Sequence, residues 1–278
     1  MMQWDKELGV RLGSRGREDH RAFRQLCDFE SYEKHKHMGK CLIISNEDFP
    51  GAPRLHRTGC RADEHLLLKT FQSLGFNVQL ERNLSADEMT AALTKASEDD
   101  HTDMSCFVCV LMSHGKEGSL LGSDQRWIPI KTLTSTMTAD LCPTLQDKPK
   151  IFFLQACRGE MYDPGVETDS EEAPEFIGIS DVPELDFLCC YSTVEVVVSV
   201  GYYSWRNPQT GSVFICELCK MLMNSHLEII QNLTRVNQLV ANHFESYTLD
   251  SATHKKRQMP CFASRLTKDF YLHMQAKK

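Results

Sequence analysis

Residues 150–160 read Lys-Ile-Phe-Phe-Leu-Gln-Ala-Cys-Arg-Gly-Glu, and this segment decides the fold. Four apolar residues in a row, Ile151 to Leu154, stand between a Pro-Lys pair and a polar end. A short apolar run bounded by turn-forming residues is typical of a central strand that is buried on both faces. The strand is predicted to end at Gln155. Cys157 then lies at the carboxyl edge of a sheet, where open α/β folds hold their reactive groups.

Strand and helix patterns alternate along most of the chain. An alternating β-α-β-α order with apolar strands favours a mainly parallel sheet with helices on both faces. His114 and Cys157 then both follow the carboxyl ends of strands, and each precedes a glycine by one or two positions. The predicted strands are 41–45, 76–80, 106–112, 151–154, 185–191 and 260–266. The first predicted helix contains Leu67 and stops at Gly75, and the others are 85–97, 130–137, 212–223 and 228–244. Capping boxes are predicted at Ser85–Glu88 for the helix 85–97 and at Ser225–Glu228 for the last helix.

The composition is that of an ordinary soluble globular chain. Of 278 residues, 41% are hydrophobic and 25% charged, and the net charge of −7 gives no global reason to expect nucleic-acid or membrane binding. No apolar run approaches the ~20 residues that span a bilayer. Residues 1–40 are polar and mixed in charge, which argues against a signal or transit peptide. We therefore expect a cytoplasmic protein with no nucleic-acid or membrane partner.

Two of the cysteine pairs have the spacing of metal or redox sites. Cys106 and Cys109 lie in a predicted strand, where positions i and i+3 point to opposite faces. Cys216 and Cys219 belong to the apolar stripe of a predicted helix, and neither pair is flanked by the turn residues of zinc knuckles. We expect buried free thiols and neither metal nor cofactor. A thiol–disulfide oxidoreductase is a poor alternative, because neither pair opens a helix after a strand.

Cysteine chemistry needs a partner for the thiol. His114 can stabilise the Cys157 thiolate and later protonate a leaving amine. Gly115 has no side chain, so its backbone N–H can approach a developing oxyanion, and the Cys157 N–H can supply a second donor. The sequence contains no obvious acid to orient His114, and a backbone carbonyl can serve instead. These three residues are the predicted catalytic group.

Several longer motifs occur together in one order. Residues 155–159 read Gln-Ala-Cys-Arg-Gly, 113–115 Ser-His-Gly, 201–207 Gly-Tyr-Tyr-Ser-Trp-Arg-Asn, and 233–237 Leu-Thr-Arg-Val-Asn. With these motifs, residues 40–273 resemble the caspase family, and its executioner members in particular. The resemblance implies a three-layer α/β/α sandwich with a central, mostly parallel six-stranded sheet. It also implies a cysteine endopeptidase that cuts proteins after aspartate in apoptosis.

The resemblance further implies which residues bind the substrate. Arg57, Gln155 and Arg206 would line the pocket for the substrate aspartate. Two guanidinium groups can hold a carboxylate through charge-assisted bonds, and a glutamine adds a neutral donor. An extended peptide would pair with the backbone of the adjoining groove. The remaining predicted substrate-binding residues are Tyr203, Ser204, Trp205, Asn207 and Tyr247.

By the same resemblance the chain is a zymogen. Residues 160–175 are acidic and contain two prolines, which is typical of an exposed loop. Asp169, in the sequence Val-Glu-Thr-Asp, is the predicted processing site for an upstream caspase or a second copy of this chain. The predicted working unit is a homodimer of large–small subunit pairs. The predicted organisation is a short extension (1–38), a large subunit (39–169), a linker (170–184) and a small subunit (185–278), with both subunits in one catalytic domain.

The chain departs from the executioner pattern at two places. Seven residues, 194–200, stand where the family has about two. Val213 stands where the family often has tryptophan, which predicts weaker discrimination at an outer subsite. If the insertion Val194–Val200 displaces Arg206, the chain is a catalytically weak homologue that acts as a regulatory binding partner. This is the alternative to the protease.

Overall fold

The elements follow the predicted alternation of strands and helices. The computed structural model describes residues 30–116, 118–156, 182–193, 206–207, 209–224, 226–243 and 258–272. No helix within these ranges is long and apolar enough to cross a membrane. In chain order the elements are β1 (His37–Ser45), α1 (Cys60–Ser73), β2 (Phe76–Arg82), α2 (Ala86–Ser97), β3 (Met104–Met112), β4 (Gly115–Lys116), β5 (Ser119–Leu121), β6 (Trp127–Pro129), α3 (Ile130–Ser135), β7 (Lys150–Gln155), β8 (Phe187–Tyr191), β9 (Arg206–Asn207), β10 (Gly211–Ser212), α4 (Val213–Asn224), α5 (Ile229–His243) and β11 (Cys261–Ser264).

The large sheet has six strands in the order β11-β8-β7-β3-β1-β2. All neighbours are parallel except β11, which runs antiparallel to β8 at one edge. Because β7 pairs with β3 on one side and β8 on the other, all its residues from Lys150 to Gln155 are buried. The predicted central strand, the mostly parallel six-stranded sheet and the edge position of the last strand are confirmed.

Helices cover the two faces of the sheet and form two separate apolar clusters. One cluster contains side chains of α1, α4 and α5, and the other contains side chains of α2 and α3. Successive residues of β3 belong to different clusters, so Cys106 lies in the first cluster and Cys109 in the second. The opposite orientation predicted for this pair is confirmed. Burial also raises the pKa of both thiols, which disfavours the thiolate that disulfide exchange requires.

The ends of the helices test the capping predictions. At α2 the Ser85 side chain accepts from the Glu88 N–H and the Glu88 carboxylate accepts from the Ser85 N–H, which confirms the capping box. The predicted second capping box is wrong, because α5 begins at Ile229 and Glu228 is itself the N-cap residue. Its carboxylate accepts the backbone N–H groups of Ile230 and Gln231, at 2.7 and 3.3 Å. Ser225 lies outside the described residues.

Two small sheets are absent from the sequence predictions. Strands β4, β5 and β6 form a three-stranded antiparallel sheet directly after His114, and β9 pairs with β10 as a hairpin. Each of these strands has only two or three residues. Strand β8 also begins later than predicted, at Phe187. Asp186 has φ +65°, which a strand does not allow, and Leu185 is 64% exposed.

The described part of the predicted N-terminal extension packs against the last segment of the domain. The buried Tyr32 hydroxyl donates to Asp186 Oδ1 at 2.5 Å, and the Thr267 hydroxyl donates to the same oxygen at 2.8 Å. Ser31 forms a β-bridge with Asp269. Three segments far apart in sequence therefore meet at one buried carboxylate. Residues 1–29 lie outside the described part, so the subunit boundaries stay predictions.

A buried histidine, His101, links the end of α2 to β3. Its Nε2 lies 2.8 Å from the carbonyl oxygen of Ala96, and its ring packs edge-on against Phe107. The side chain is 1% exposed, and its Nδ1 has no hydrogen-bond partner among the described residues. Burial lowers the pKa of His101 from its ordinary value of 6.5, although the hydrogen bond to Ala96 opposes the shift. The folded chain therefore favours the neutral ring.

We predict that His101 makes the protein less stable in mild acid. The unfolded chain binds a proton at this ring near pH 6.5 and the folded chain does not, so stability falls as the pH drops below that value. The slope from this one group is at most about 1.4 kcal/mol per pH unit. Urea denaturation between about pH 7 and pH 5 should show a flatter profile for His101→Gln. Equal slopes in the wild type and in His101→Gln would contradict the prediction.

Candidate active site

His114 follows β3 at the carboxyl edge of the large sheet. Its ring packs against Phe49, with 5.1 Å between ring centroids. Its Nε2 lies 2.7 Å from the carbonyl oxygen of Leu55, which can only accept a hydrogen bond. Nε2 therefore carries the proton, and in the neutral ring the lone pair is on Nδ1. A backbone carbonyl thus orients the histidine.

The segment between β1 and α1 places that carbonyl. It leaves the sheet at Asn46, whose backbone N–H donates to Met112 at the end of β3, at 2.8 Å. Residues Pro53–Leu55 then form a short 3₁₀ turn, in which the Leu55 N–H donates to Ala52 O at 2.9 Å. Because proline presets a turn-compatible φ, this turn holds Leu55 in place beside His114.

Arg57 continues the same segment and is completely buried. Its Nη1 donates to Asn46 O at 2.7 Å and to Cys60 Sγ at 3.2 Å. Its Nη2 donates to Gln155 O at 3.4 Å. A buried charge is costly unless it is hydrogen bonded. These three acceptors lie directly after β1, at the start of α1 and at the end of β7. The guanidinium therefore ties the start of α1 and the end of β1 to the end of β7.

Gln155 and Gly115 complete the described part of the site. Gln155 is the last residue of β7 and is completely buried, and its carbonyl also accepts the Ser113 N–H at 3.4 Å. Gly115 opens β4 and pairs with Leu120, while the His114 carbonyl accepts the Leu121 N–H at 2.9 Å. The structure therefore joins Arg57 and Gln155 to Ser113, the residue before His114 and Gly115, at this edge of the sheet.

Only the backbone is described for two predicted pocket residues. Arg206 pairs with Ser212 and Asn207 pairs with Gly211 in the β9–β10 hairpin. Val213 is the first residue of α4 and is partly buried. The predicted roles of these residues stay predictions. The predicted site residues and segments outside the described residues are Cys157, Asp169, Tyr203, Ser204, Trp205, Tyr247 and Val194–Val200.

The described groups are suited to acyl chemistry on a peptide that carries a negative charge. An oriented neutral imidazole can accept a proton at Nδ1. A buried guanidinium keeps its charge at any physiological pH and favours a carboxylate nearby. Within the described ranges, no group of three or more His, Cys, Asp or Glu side chains could hold a metal ion.

Sequence reasoning missed Asn46, which links the loops around the site. This completely buried residue donates from Nδ2 to Leu84 O at 3.0 Å and to Leu121 O at 3.2 Å. Its Oδ1 accepts the Leu84 N–H at 2.9 Å. The available signal was a polar residue directly after a buried strand, at the same sheet edge as His114. Asn46 thereby joins the ends of β2 and β5 to the segment that carries Arg57.

We predict that Asn46→Ala destabilises the fold by about 1–3 kcal/mol. The substitution removes the acceptor of the partly buried Leu84 N–H, and an unsatisfied group of this kind costs about 1–3 kcal/mol. The carbonyls of Leu84 and Leu121 lose one donor each but keep the Ser123 N–H and the Ser113 hydroxyl. Urea denaturation measures the loss of unfolding free energy. The matched control is Asn77→Ala at an exposed position of β2, where the change should stay within about 0.5 kcal/mol. Equal losses in both variants would contradict the prediction.

The chain is similar to known proteins over most of its length. The family model described as "Caspase domain" matches residues 38–271. Caspase-7 of Gallus gallus is 44% identical over 253 residues, which cover 87% of this chain and 80% of that protein. Caspase-3 of Mesocricetus auratus is 44% identical over 239 residues, covering 85% and 84% of the two chains. Caspase-3 of Xenopus laevis is 47% identical over 238 residues, covering 84% and 80%.

Proposed function

Because the chain belongs to the caspase family and is a cysteine-type endopeptidase, we propose that it cuts proteins after aspartate as an executioner caspase. The observation that carries the proposal is the buried Arg57 guanidinium against the carbonyl of Gln155, beside the oriented His114. This arrangement puts a permanent positive charge next to an imidazole that can accept a proton. Its role would be the limited proteolysis of proteins in apoptosis.

In the proposed reaction the Cys157 thiol gives its proton to His114 and attacks the scissile carbonyl carbon. The backbone N–H groups of Gly115 and Cys157 stabilise the resulting oxyanion. The imidazolium then protonates the leaving amine, the C–N bond breaks, and a thioester remains. Water, deprotonated by the neutral imidazole, hydrolyses the thioester and regenerates the thiol. The Leu55 carbonyl supports this sequence, because its contact with Nε2 leaves Nδ1 as the nitrogen that accepts and returns the proton.

The proposed specificity comes from the pocket for the substrate aspartate. Arg57, Gln155 and Arg206 hold its carboxylate through charge-assisted and neutral hydrogen bonds. Preceding residues of the substrate lie extended in a groove and pair with the backbone. Arg57 supports the assignment because its position is set by three hydrogen bonds before any substrate binds. The groove residues are proposed to be Tyr203, Ser204, Trp205, Asn207 and Tyr247.

The proposed life cycle follows the family pattern. The chain is made as a zymogen in the cytoplasm, and cleavage after Asp169 frees loop ends that complete the groove. The mature unit is a homodimer of large–small subunit pairs. Strand β11 supports this assembly, since it is an edge strand and Met259 just before it is 39% exposed. An unpaired strand edge is a template for pairing with another chain.

We predict that the processed protein hydrolyses a fluorogenic Asp-Glu-Val-Asp peptide at least about a hundredfold faster than the Asp-Glu-Val-Asn peptide. The asparagine is nearly isosteric but lacks the charge that two arginines recognise. Steady-state kinetics measure both values. Cys157→Ala should abolish turnover, whereas Cys142→Ala, at a buried cysteine away from the site, should retain it. The absence of turnover, even after an added protease has cut the chain at Asp169, would favour the regulatory homologue instead.

We also predict that Asp169 controls maturation. The wild-type chain should separate into two fragments on a denaturing gel, and Asp169→Asn should remain a single chain with turnover lower by about tenfold or more. The matched control is Asp163→Asn, which lies in the same acidic stretch and should be processed normally. Processing of the Asp169 variant at the wild-type rate would place the cut elsewhere.

A further inference from the structure

The carboxylate of Asp63 is buried in the first turn of α1 and is 1% exposed. Its Oδ1 accepts the backbone N–H of Ser212, at 2.7 Å, in a buried hydrogen bond. A carboxylate removed from water is stable only with strong donors, and a hydrogen bond to a charged acceptor is roughly twice as strong as a neutral one. This contact is therefore a firm link between α1 and strand β10, although 149 positions separate the two residues.

Strand β10 is half of the hairpin that carries Arg206. In this hairpin Ser212 is the register partner of Arg206, and Gly211 is the register partner of Asn207. Gly211 has φ +83°, and a Cβ added there would lie 2.2 Å from Asp63 Oδ1. Glycine is thus required both for the backbone conformation and for the close approach of the carboxylate. Gly211 therefore allows the Asp63 carboxylate to lie directly against the backbone of the hairpin.

The same helical turn also holds the other arginine of the proposed pocket. Cys60 opens α1, and its sulfur accepts a hydrogen bond from the Arg57 guanidinium at 3.2 Å. Asp63 follows Cys60 by three positions, which is close to one turn of helix. One rigid element therefore contacts the Arg57 side chain at its first residue and the backbone of β10 at its fourth.

We infer that Asp63 is a positioning residue that sets the spacing between Arg57 and Arg206 and thereby determines how strongly the enzyme selects aspartate. This inference rests on the proposed function, because the two arginines are proposed to hold the substrate carboxylate. Asp63 acts on the hairpin backbone and leaves the chemistry to Cys157 and His114. Loss of Asp63 therefore weakens the recognition of charge and not the reactivity of the thiol.

The neighbouring residue supplies a matched control. Glu64 is also a buried carboxylate in the first turn of α1, with 2% exposure. It pairs with Arg82 at 2.8 Å and with Arg61 at 3.4 Å, and these partners lie on β2 and on α1. A variant at Glu64 disturbs the same helix and removes the same charge. It leaves the contact with Ser212 in place.

The test uses the whole protein after cleavage at Asp169, with both fragments present, and the variants Asp63→Ala, Asp63→Asn and Glu64→Gln. Three quantities are measured: hydrogen exchange at the Ser212 amide, kcat/KM for Asp-Glu-Val-Asp and Asp-Glu-Val-Asn peptides, and the alkylation rate of Cys157 by iodoacetamide. Iodoacetamide is small and neutral, so its reaction reports the thiol and not the aspartate pocket. Mass spectrometry of the peptide that contains Cys157 follows the alkylation.

For Asp63→Ala we expect exchange at Ser212 to be faster by about tenfold or more. The ratio of kcat/KM between the aspartate and asparagine peptides should fall by about tenfold or more, with alkylation within about twofold of wild type. Asp63→Asn keeps an oxygen acceptor for Ser212 and should recover most of both losses. Glu64→Gln should keep the wild-type ratio.

An unchanged ratio in Asp63→Ala, or the same fall in Glu64→Gln, would overturn the inference. A parallel loss of turnover on both peptides and of alkylation would also overturn it, because it would reveal a merely structural role. If the wild-type protein itself does not prefer aspartate, the proposed function is what fails. The exchange measurement then decides whether Asp63 holds the hairpin: faster exchange at Ser212 in Asp63→Ala supports the anchoring, and unchanged exchange removes it.

Discussion

The buried guanidinium of Arg57 connects the parts of this protein that must meet for chemistry. Its hydrogen bonds to Asn46, Cys60 and Gln155 close the segment between β1 and α1 over the carboxyl edge of the sheet. The same segment presents the Leu55 carbonyl to His114. Because a charge without these acceptors would be too costly to bury, the position of Arg57 and the shape of the segment determine each other.

Apolar clusters on both faces of the large sheet leave its carboxyl edge as the place for polar side chains. Of the described helices, three pack on one face of the large sheet and two on the other. The parallel strands between them, β1, β2, β3, β7 and β8, have their carboxyl ends at the same edge. Polar residues that follow those ends, such as Asn46 and His114, would lack hydrogen-bond partners in the apolar layers. They bond instead to the backbones of neighbouring loops. The site is therefore a collection of strand ends cross-linked by side-chain-to-backbone hydrogen bonds.

Much of this fold could be predicted because its signals are local. The apolar run 151–154, the Ser85–Glu88 capping box and the opposite faces of Cys106 and Cys109 each depend on a few consecutive residues. The second capping box was wrong because a glutamate can also serve as the N-cap itself. Strands of two or three residues, such as β4 and β9, are too short to have a periodicity.

The sequence by itself determined the class of fold, the central strand and the candidacy of His114 and Gly115, because periodicity and motif are properties of neighbours along the chain. Arg57 and Gln155 became candidates only through the resemblance to the family. The tertiary structure alone decided what orients and anchors them. Leu55 contributes only a carbonyl, which every residue has, and Asp63 meets Ser212 from 149 positions away. Contacts of these two kinds leave no pattern in a single sequence, since they depend on which loops the packed sheet brings together.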